Sequence, residues 1–297
     1  MAAMNPYANF PNRGLPQLDE ETPLCPKIDL LLDMPSIPKS YATTHAWNPD
    51  DCAPSVDVDL FEDTICRSIF DSDDTRCCRG RVGFTEGIHC WEIYWPKEIR
   101  VKNCVVGVAT KEAPLHCSGK TNLVGKNKHS WGWDICNREA LHDTDTQGVK
   151  PYPVFRYADA EFTIPDCFCI VLDMNAGTIA IVINGKSMGI MFDGLEGKTL
   201  YPIVNMTTQG DDVSMRYLGK LDTWGPPSLL HMCRLKLRSH YGKFFIAKEI
   251  KDKEIPEDLK EFVANPPQYF YTLHPSKLSQ IRQRKNLTLR CPNNWLV

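Results

Sequence analysis

The side chains with the widest chemical reach in this 297-residue chain are its thirteen cysteines and eight histidines. A thiol can act as nucleophile, metal ligand or disulfide partner, and each role leaves its own spacing. No Cys-x-x-Cys pair occurs: Cys77 and Cys78 are adjacent, and Cys167 and Cys169 are one residue apart. The standard ligand spacing of a zinc site is therefore not met. His116 stands beside Cys117 and His89 beside Cys90, which are the residue types of a nucleophilic dyad. Neighbours on a strand point to opposite faces, so no dyad is expected from either pair. Asp71-Ser72-Asp73-Asp74 has the carboxylate density of a cation loop, but the Gly and Glu that complete an EF-hand are missing. Trp131 and Trp133 could stack a ligand, yet their alternation with Gly132 and Asp134 places them in a sheet core. No catalytic residue, metal ion or cofactor is expected, and the thiols are read as reduced, small apolar side chains.

The elements that must position these residues follow a period of two from about Thr44 to Leu218. In His89-Cys90-Trp91-Glu92-Ile93-Tyr94-Trp95, the side chains of Trp91, Ile93 and Trp95 share one face. Cys167–Asp173 reads as a strand, Asn175-Ala176-Gly177 as a turn, and Thr178–Ile183 as a β-branched strand with Ile179, Ile181 and Ile183 on one face. Asn184-Gly185 is the preferred pair for a tight hairpin, and Lys186–Phe192 returns, which makes a three-stranded meander. Further strand-like runs are Cys104–Thr110, Thr199–Met206 and Val213–Leu218. Many short strands with Gly and Pro turns predict a mostly β chain built as an antiparallel sandwich. Ahead of it lies a Pro- and Asn-rich arm, and Ile28–Met34 is the first run able to dock on a core.

After Trp224 the pattern changes. Pro226-Pro227 breaks the chain and Ser228 stands at an N-cap position before a helix over Leu229–Tyr241, with Gly242 as its stop. A second helical stretch is predicted near Phe244–Ile250, and a third opens at Pro256 and carries Leu259, Phe262 and Val263. Leu229, Leu230, Cys233, Leu237 and Tyr241 fall within an arc of roughly 120° on the first helix. Met232 and Leu235 form a separate apolar strip, with His231, Arg234 and Arg238 as the polar face between them. Two stripes predict that one packs within the chain and the other against a separate protein. A helix buried wholly within the chain is the alternative.

Composition narrows the function classes. Hydrophobic residues are 42% and charged residues 24% of the chain, and 34 Lys and Arg against 37 Asp and Glu give a net charge of −3. That balance lacks the basic face that nucleic acid requires. No segment approaches the ~18 apolar residues of a membrane span. Met1–Pro26 has no apolar core of the kind a secretory leader needs, so a cytoplasmic protein is expected and the sequons at Asn205 and Asn286 carry no meaning. The tail over Tyr271–Val297 has five Lys or Arg and no acid, and is read as solvated.

Ser228-Leu229-Leu230-His231-Met232-Cys233-Arg234-Leu235-Lys236-Leu237 resembles the Elongin C-binding box that opens a SOCS box, and Leu229, Cys233 and Leu237 lie one turn apart along one helix face. Ile255-Pro256-Glu257-Asp258-Leu259 resembles the second half of the cullin-5 box, with Lys253-Glu254 where the family carries Leu-Pro. The β region resembles the SPRY domain of the SPRY domain-containing SOCS box family. The matching stretches include Asp29–Pro35, Val105–Thr110, Ala113–His116, Leu123–Gly125, Ser130–Asp134, Leu200–Pro202 and Met215–Leu218. This resemblance covers about residues 24–265. It implies an irregular arm over 1–23, a SPRY β-sandwich with its N-terminal flank over 24–222, a small all-α SOCS box over 223–265 and a basic tail over 266–297.

The resemblance also implies a function. Members of the family are non-catalytic substrate receptors: the SPRY loops hold a short linear peptide, and the SOCS box recruits Elongin B/C and a cullin, cullin-5 foremost, with its RING partner. Proximity then promotes ubiquitination and proteasomal degradation of the target protein. Elongin contact falls to Leu229, Cys233 and Leu237, and cullin contact to Ile255, Pro256 and Leu259. The family peptide, an Asp- or Glu-Ile-Asn-Asn-Asn segment, is held by loops of which only Arg67 is matched here. The Pro and Ala after that Arg are Ile69 and Asp71, a Gly is Val101, a Tyr is Lys120, and a Val-Trp-Gly loop reads Thr207-Thr208-Gln209. A changed peptide preference is expected, toward a ligand less acidic at its start. The competing expectation is a non-ligase SPRY scaffold whose C-terminal helices pack internally.

Overall fold

Alternation of apolar and polar side chains lets each strand bury one face, and two such faces stacked together form a sandwich core. A computed structural model describes residues 37, 39–59, 65–68, 74–154, 163–183, 186–208, 212–221, 229–241, 250 and 253–264. The Ile28–Met34 run, the Asn184-Gly185 pair, Ser228, the second helical stretch apart from Ile250, and the basic tail lie outside these residues.

The described strands begin with Trp47–Cys52 (β1), Val56–Asp59 (β2), Ile65–Ser68 (β3), Asp74–Gly80 (β4), Ile88–Tyr94 (β5), Val105–Ala109 (β6), His116–Ser118 (β7) and Ser130–Asp134 (β8). They continue with Glu139–Leu141 (β9), Val149–Pro151 (β10), Cys167–Asp173 (β11), Thr178–Ile183 (β12), Lys186–Phe192 (β13), Tyr201–Met206 (β14) and Asp212–Leu221 (β15). The helices are Lys39–Thr44 (α1), Thr144–Gln147 (α2), Leu229–Tyr241 (α3) and Glu257–Ala264 (α4). One sheet runs β13-β12-β11-β5-β15-β3-β2. The other runs β1-β4-β14-β6-β8-β9-β10, with β7 also paired to β4. The meander expected over residues 167–192 is present as β11-β12-β13, with the strand boundaries read from the sequence.

The core between the sheets holds the predicted faces. Trp91, Ile93 and Trp95 of β5 share one buried cluster with Ile179, Ile181 and Ile183 of β12, and Phe168, Ile170 and Leu172 of β11, the strand between, belong to it too. Trp131 and Trp133 are core residues, as their alternation predicted. The Trp133 indole N–H donates to the Tyr152 carbonyl at 3.0 Å, and its ring meets those of Tyr152 and Phe168 edge-on. A second, smaller cluster covers the outer face of the β4-β14-β6 region: Cys77, Val105 and Ile203 pack under Ala113, Leu123 and Val124. The Arg79 guanidinium holds this covering segment in place. It donates to the carbonyls of Thr110 (2.6 Å) and Ala113 (2.9 Å) and pairs with Asp51 at 3.3 Å.

Close approach of backbone decides one strand pair. Gly107 of β6 lies directly opposite Gly132 of β8. A Cβ at Gly107 would meet the Trp131 carbonyl oxygen at 1.9 Å, and one at Gly132 would meet Val105 Cγ1 at 2.5 Å. Neither position admits a side chain without moving a neighbour. Gly107→Ala is expected to destabilise the sandwich by about 1–3 kcal/mol, read as a lowered midpoint in urea unfolding. An unchanged midpoint would contradict this packing.

Candidate functional site: the loop end of the sandwich

Strand register gathers several strand ends, and the described loops that leave them, at one end of the sandwich. Arg67 of β3 pairs with Asp212 at the start of β15, Asp74 at the start of β4 pairs with Ser118 of β7, and Asn205 near the end of β14 pairs with Val105 at the start of β6. The described segments 95–104, 118–122 and 207–208 therefore leave the sheets on the same side, where β3 ends at Ser68 and β4 begins at Asp74. Arg67 sits between Asp57 of β2 and Asp212 in the ladder. Ile69, Asp71 and Gln209 lie outside the described residues.

The remaining loop residues are drawn together by hydrogen bonds to one strand end. Thr207 is buried, and its hydroxyl donates to the Lys102 carbonyl at 2.8 Å, next to Val101, which is 60% exposed. Thr208 follows, half-buried. Lys120 is exposed on a segment pinned from both sides. The Thr75 hydroxyl lies 2.7 Å from the Gly119 carbonyl and 3.0 Å from that of Thr121, and it accepts from the Thr121 N–H at 2.9 Å. Val101, Lys120, Thr207 and Thr208 thus belong to one tied surface.

The residue that ties it was not among the expected site residues. Asn205 is fully buried. Its Oδ1 accepts from the N–H of Leu123 at 2.9 Å and of Val124 at 3.5 Å, and its Nδ2 donates to the carbonyls of Asn103 (2.7 Å) and Thr121 (3.4 Å). Both loops therefore hang on one amide at the end of β14. The signal in the sequence was an Asn inside the apolar run Ile203-Val204-Asn205-Met206, a buried polar group that must find partners. Such burial also removes Asn205 as a glycan acceptor.

Arg100 fixes the 95–104 loop from the other side. Its guanidinium donates to the carbonyls of Ile164 (3.1 Å), Pro165 (2.7 Å) and Trp95, and its burial holds its pKa below the usual arginine value. Lys97, Lys102 and Lys120 are exposed at this end.

The two Cys–His neighbours are separated by strand geometry. Cys117 packs against the cluster around Cys77, while His116 faces Asp74 at 3.6 Å. The His89 ring nitrogens meet the Tyr217 hydroxyl at 2.8 Å and the Glu86 carbonyl at 2.7 Å. Among the described residues, no three His, Cys, Asp or Glu side chains come together as metal ligands.

A second surface lies on the C-terminal helices, which contact each other. On α3, Leu229 is 79% exposed, and Met232, Cys233, Lys236, Leu237 and His240 are exposed with it. These six residues span an arc of roughly 140°. Arg234 is only 1% exposed. This corrects the expected arrangement of stripes: the face turned inward runs through Arg234, and Met232 joins Leu229, Cys233 and Leu237 on the outer face. The guanidinium is buried together with the stem, so the inner face of α3 carries a charged group and not only an apolar one. Ile255, Pro256 and Leu259 are also exposed, whereas Ile250 and Val263 are buried.

Comparison with known proteins agrees with this architecture. The SPRY domain model matches residues 88–219, from β5 into β15. SPRY domain-containing SOCS box protein 1 of Bos taurus is 40% identical over 237 residues, covering 80% of this chain and 86% of that protein. Protein gustavus of Drosophila melanogaster is 37% identical over 237 residues, covering 80% and 85%. Human SPRY domain-containing SOCS box protein 2 is 34% identical over 262 residues, covering 87% and 93%. The sandwich is a SPRY domain. The chain belongs to the family of SPRY domain-containing SOCS box proteins.

Asn205→Ala is expected to cost about 1–3 kcal/mol, because it strips the partner from buried backbone groups of both loops. Hydrogen exchange locates the effect: the Leu123 amide should exchange faster while the Val106 amide in β6 keeps its protection. Equal protection of Leu123 in both proteins would contradict the tie.

Proposed function

We propose that this chain is the substrate-recognition adaptor of a cullin-RING ubiquitin ligase. The loop end binds a linear motif of a target protein, with Arg67, Ile69, Asp71, Val101, Lys120, Thr207, Thr208 and Gln209 as its lining. Leu229, Cys233 and Leu237 dock on Elongin C of the Elongin B/C pair, and Ile255, Pro256 and Leu259 face a cullin, cullin-5 foremost. The chain does no chemistry of its own. It raises the effective concentration of substrate at a charged ubiquitin-conjugating enzyme held by its partners, and so directs the substrate to the proteasome. The eleven described cysteines are free thiols, which suits a reducing compartment, and the adaptor works in the cytoplasm.

The observation that carries this proposal is the outer face of α3. An exposed face on which Leu229, Met232, Cys233 and Leu237 surround Lys236 and His240 turns apolar side chains to solvent, which is costly for a lone protein and fits a helix-in-groove partner. The same exposure weighs against a scaffold whose helices pack only internally. Leu229→Asp puts a charge into the proposed groove. Elongin B/C capture should weaken by at least ~30-fold, about 2 kcal/mol, with the SPRY sandwich still folded by near-UV circular dichroism. Undiminished capture would overturn the assignment.

The loop substitutions support a changed degron. Val101 places an exposed side chain where the family has none, and Lys120 and Thr208 replace aromatic rings that would cover buried amide hydrogen bonds. Two lost contacts cost ~2–6 kcal/mol, a factor of ~30 or more in affinity. Calorimetry with an Asp-Ile-Asn-Asn-Asn peptide should show binding weaker than micromolar; sub-micromolar binding would contradict the altered preference.

A further inference from the structure

The outer face of α3 is not uniformly apolar. Its exposed residues follow one another around the helix in the order Met232, Lys236, Leu229, His240, Cys233 and Leu237. Lys236 and His240 therefore lie inside the exposed arc, on either side of Leu229, and not at its edges. Along the axis the face has two zones. Its N-terminal half presents Leu229, Met232 and Cys233, and its C-terminal half groups Leu237 with Lys236 and His240. The formal charge of the helix has one sign: Leu229–Tyr241 contains Arg234, Lys236 and Arg238 but neither Asp nor Glu. Arg234 is buried, which leaves Lys236 as the described lysine or arginine on the outer face. On the neighbouring α4, the Glu257 carboxylate pairs with Lys260 at 3.4 Å.

We propose that the groove receiving α3 is apolar where it takes Leu229, Met232 and Cys233 and presents a carboxylate to Lys236, which makes Lys236 a specificity-determining residue of the docking face. The inference rests on the proposed docking of α3 and adds the chemistry of the partner surface. A second copy of α3 does not fit this description, because the helix has no carboxylate to offer Lys236.

The requirement follows from where Lys236 sits. A helix laid in a groove loses water over its whole docking face. A lysine at the edge of such a face lifts its ammonium into solvent on its flexible stem. Lys236 instead lies roughly 40° around the helix from Met232 on one side and from His240 on the other, so docking encloses it with its neighbours. An enclosed ammonium without a counter-charge opposes docking. Opposite a carboxylate it adds attraction and rejects grooves that are wholly apolar or basic. One charge in the C-terminal half of an otherwise apolar face also sets the direction in which the helix lies. Leu229, Met232 and Cys233 alone do not specify that direction.

The test is capture of Elongin B/C by the full chain, followed by surface plasmon resonance at about 50 mM and about 500 mM sodium chloride. Lys236→Met keeps the stem and removes the charge. It should weaken capture about 10-fold at low salt, because the partner carboxylate is left enclosed and unpaired, and Lys236→Glu should weaken it further. Native capture should also fall more steeply with salt than capture by Lys236→Met. Lys236 is exposed, so both variants should keep the near-UV circular dichroism of the native chain. Capture by Lys236→Met as tight as native or tighter, or an equal salt dependence, would overturn the carboxylate; a defect in Leu229→Asp measured alongside would leave the docking itself standing. Undiminished capture by Leu229→Asp would overturn the docking and this inference with it.

Discussion

The arrangement of the loop end depends on one buried amide. Asn205 lies at the end of β14, which β4 and β6 flank in the sheet, and its side chain uses both its acceptor and its donors on backbone groups of two separate loops. A fully buried amide left without such partners would cost more than the hydrogen bonds return, so the loops and the strand end are obliged to fit together. Thr75 and Thr207 repeat the device on either side, each binding a loop carbonyl by a hydroxyl. The result is a surface whose exposed side chains, Val101 and Lys120 among them, stand on backbone that the sandwich holds in place. Substitution of those exposed residues can change the chemistry of the surface without disturbing the frame.

The frame and the C-terminal helices follow different economies of burial. The sandwich buries its strand faces between two sheets, and the close pairing of Gly107 with Gly132 shows how little room its backbone leaves. The α3 helix instead turns inward at Arg234 and leaves leucine and methionine outside. An internal helix would do the reverse. That inversion is the physical ground for the proposed docking of α3 on a partner protein, and it lies on an element separate from the loop end.

Much of the fold was legible in the sequence because period-two patterning reports directly on which face of a strand is buried. Trp91, Ile93 and Trp95, the isoleucines of β12 and the Trp131–Trp133 pair all fell where alternation placed them. The limits of α3 were legible too, since Pro226-Pro227 and Gly242 bracket a helical period. What alternation does not report is which sheet a strand joins, or which distant backbone a polar side chain will find. The partners of Asn205 at Asn103, Thr121 and Leu123, and those of Arg79 at Thr110 and Ala113, are remote in sequence. The two-stripe picture of α3 misplaced Arg234 for a related reason: polarity alone does not show that a charged residue will be buried. The loop residues Val101, Lys120 and Thr208 stood out only by departing from a family pattern, since no local rule of strand or turn marks them.

The proposed recognition and ligase-docking roles occupy separate surfaces of one chain. Hydrogen–deuterium exchange of the full chain, alone and saturated with Elongin B/C, tests this most directly. Protection should rise over residues 229–241 and stay unchanged over 95–104, 118–124 and 207–208, leaving the loop end open for a substrate. Unchanged exchange over 229–241, or new protection centred on the loop end, would contradict the account.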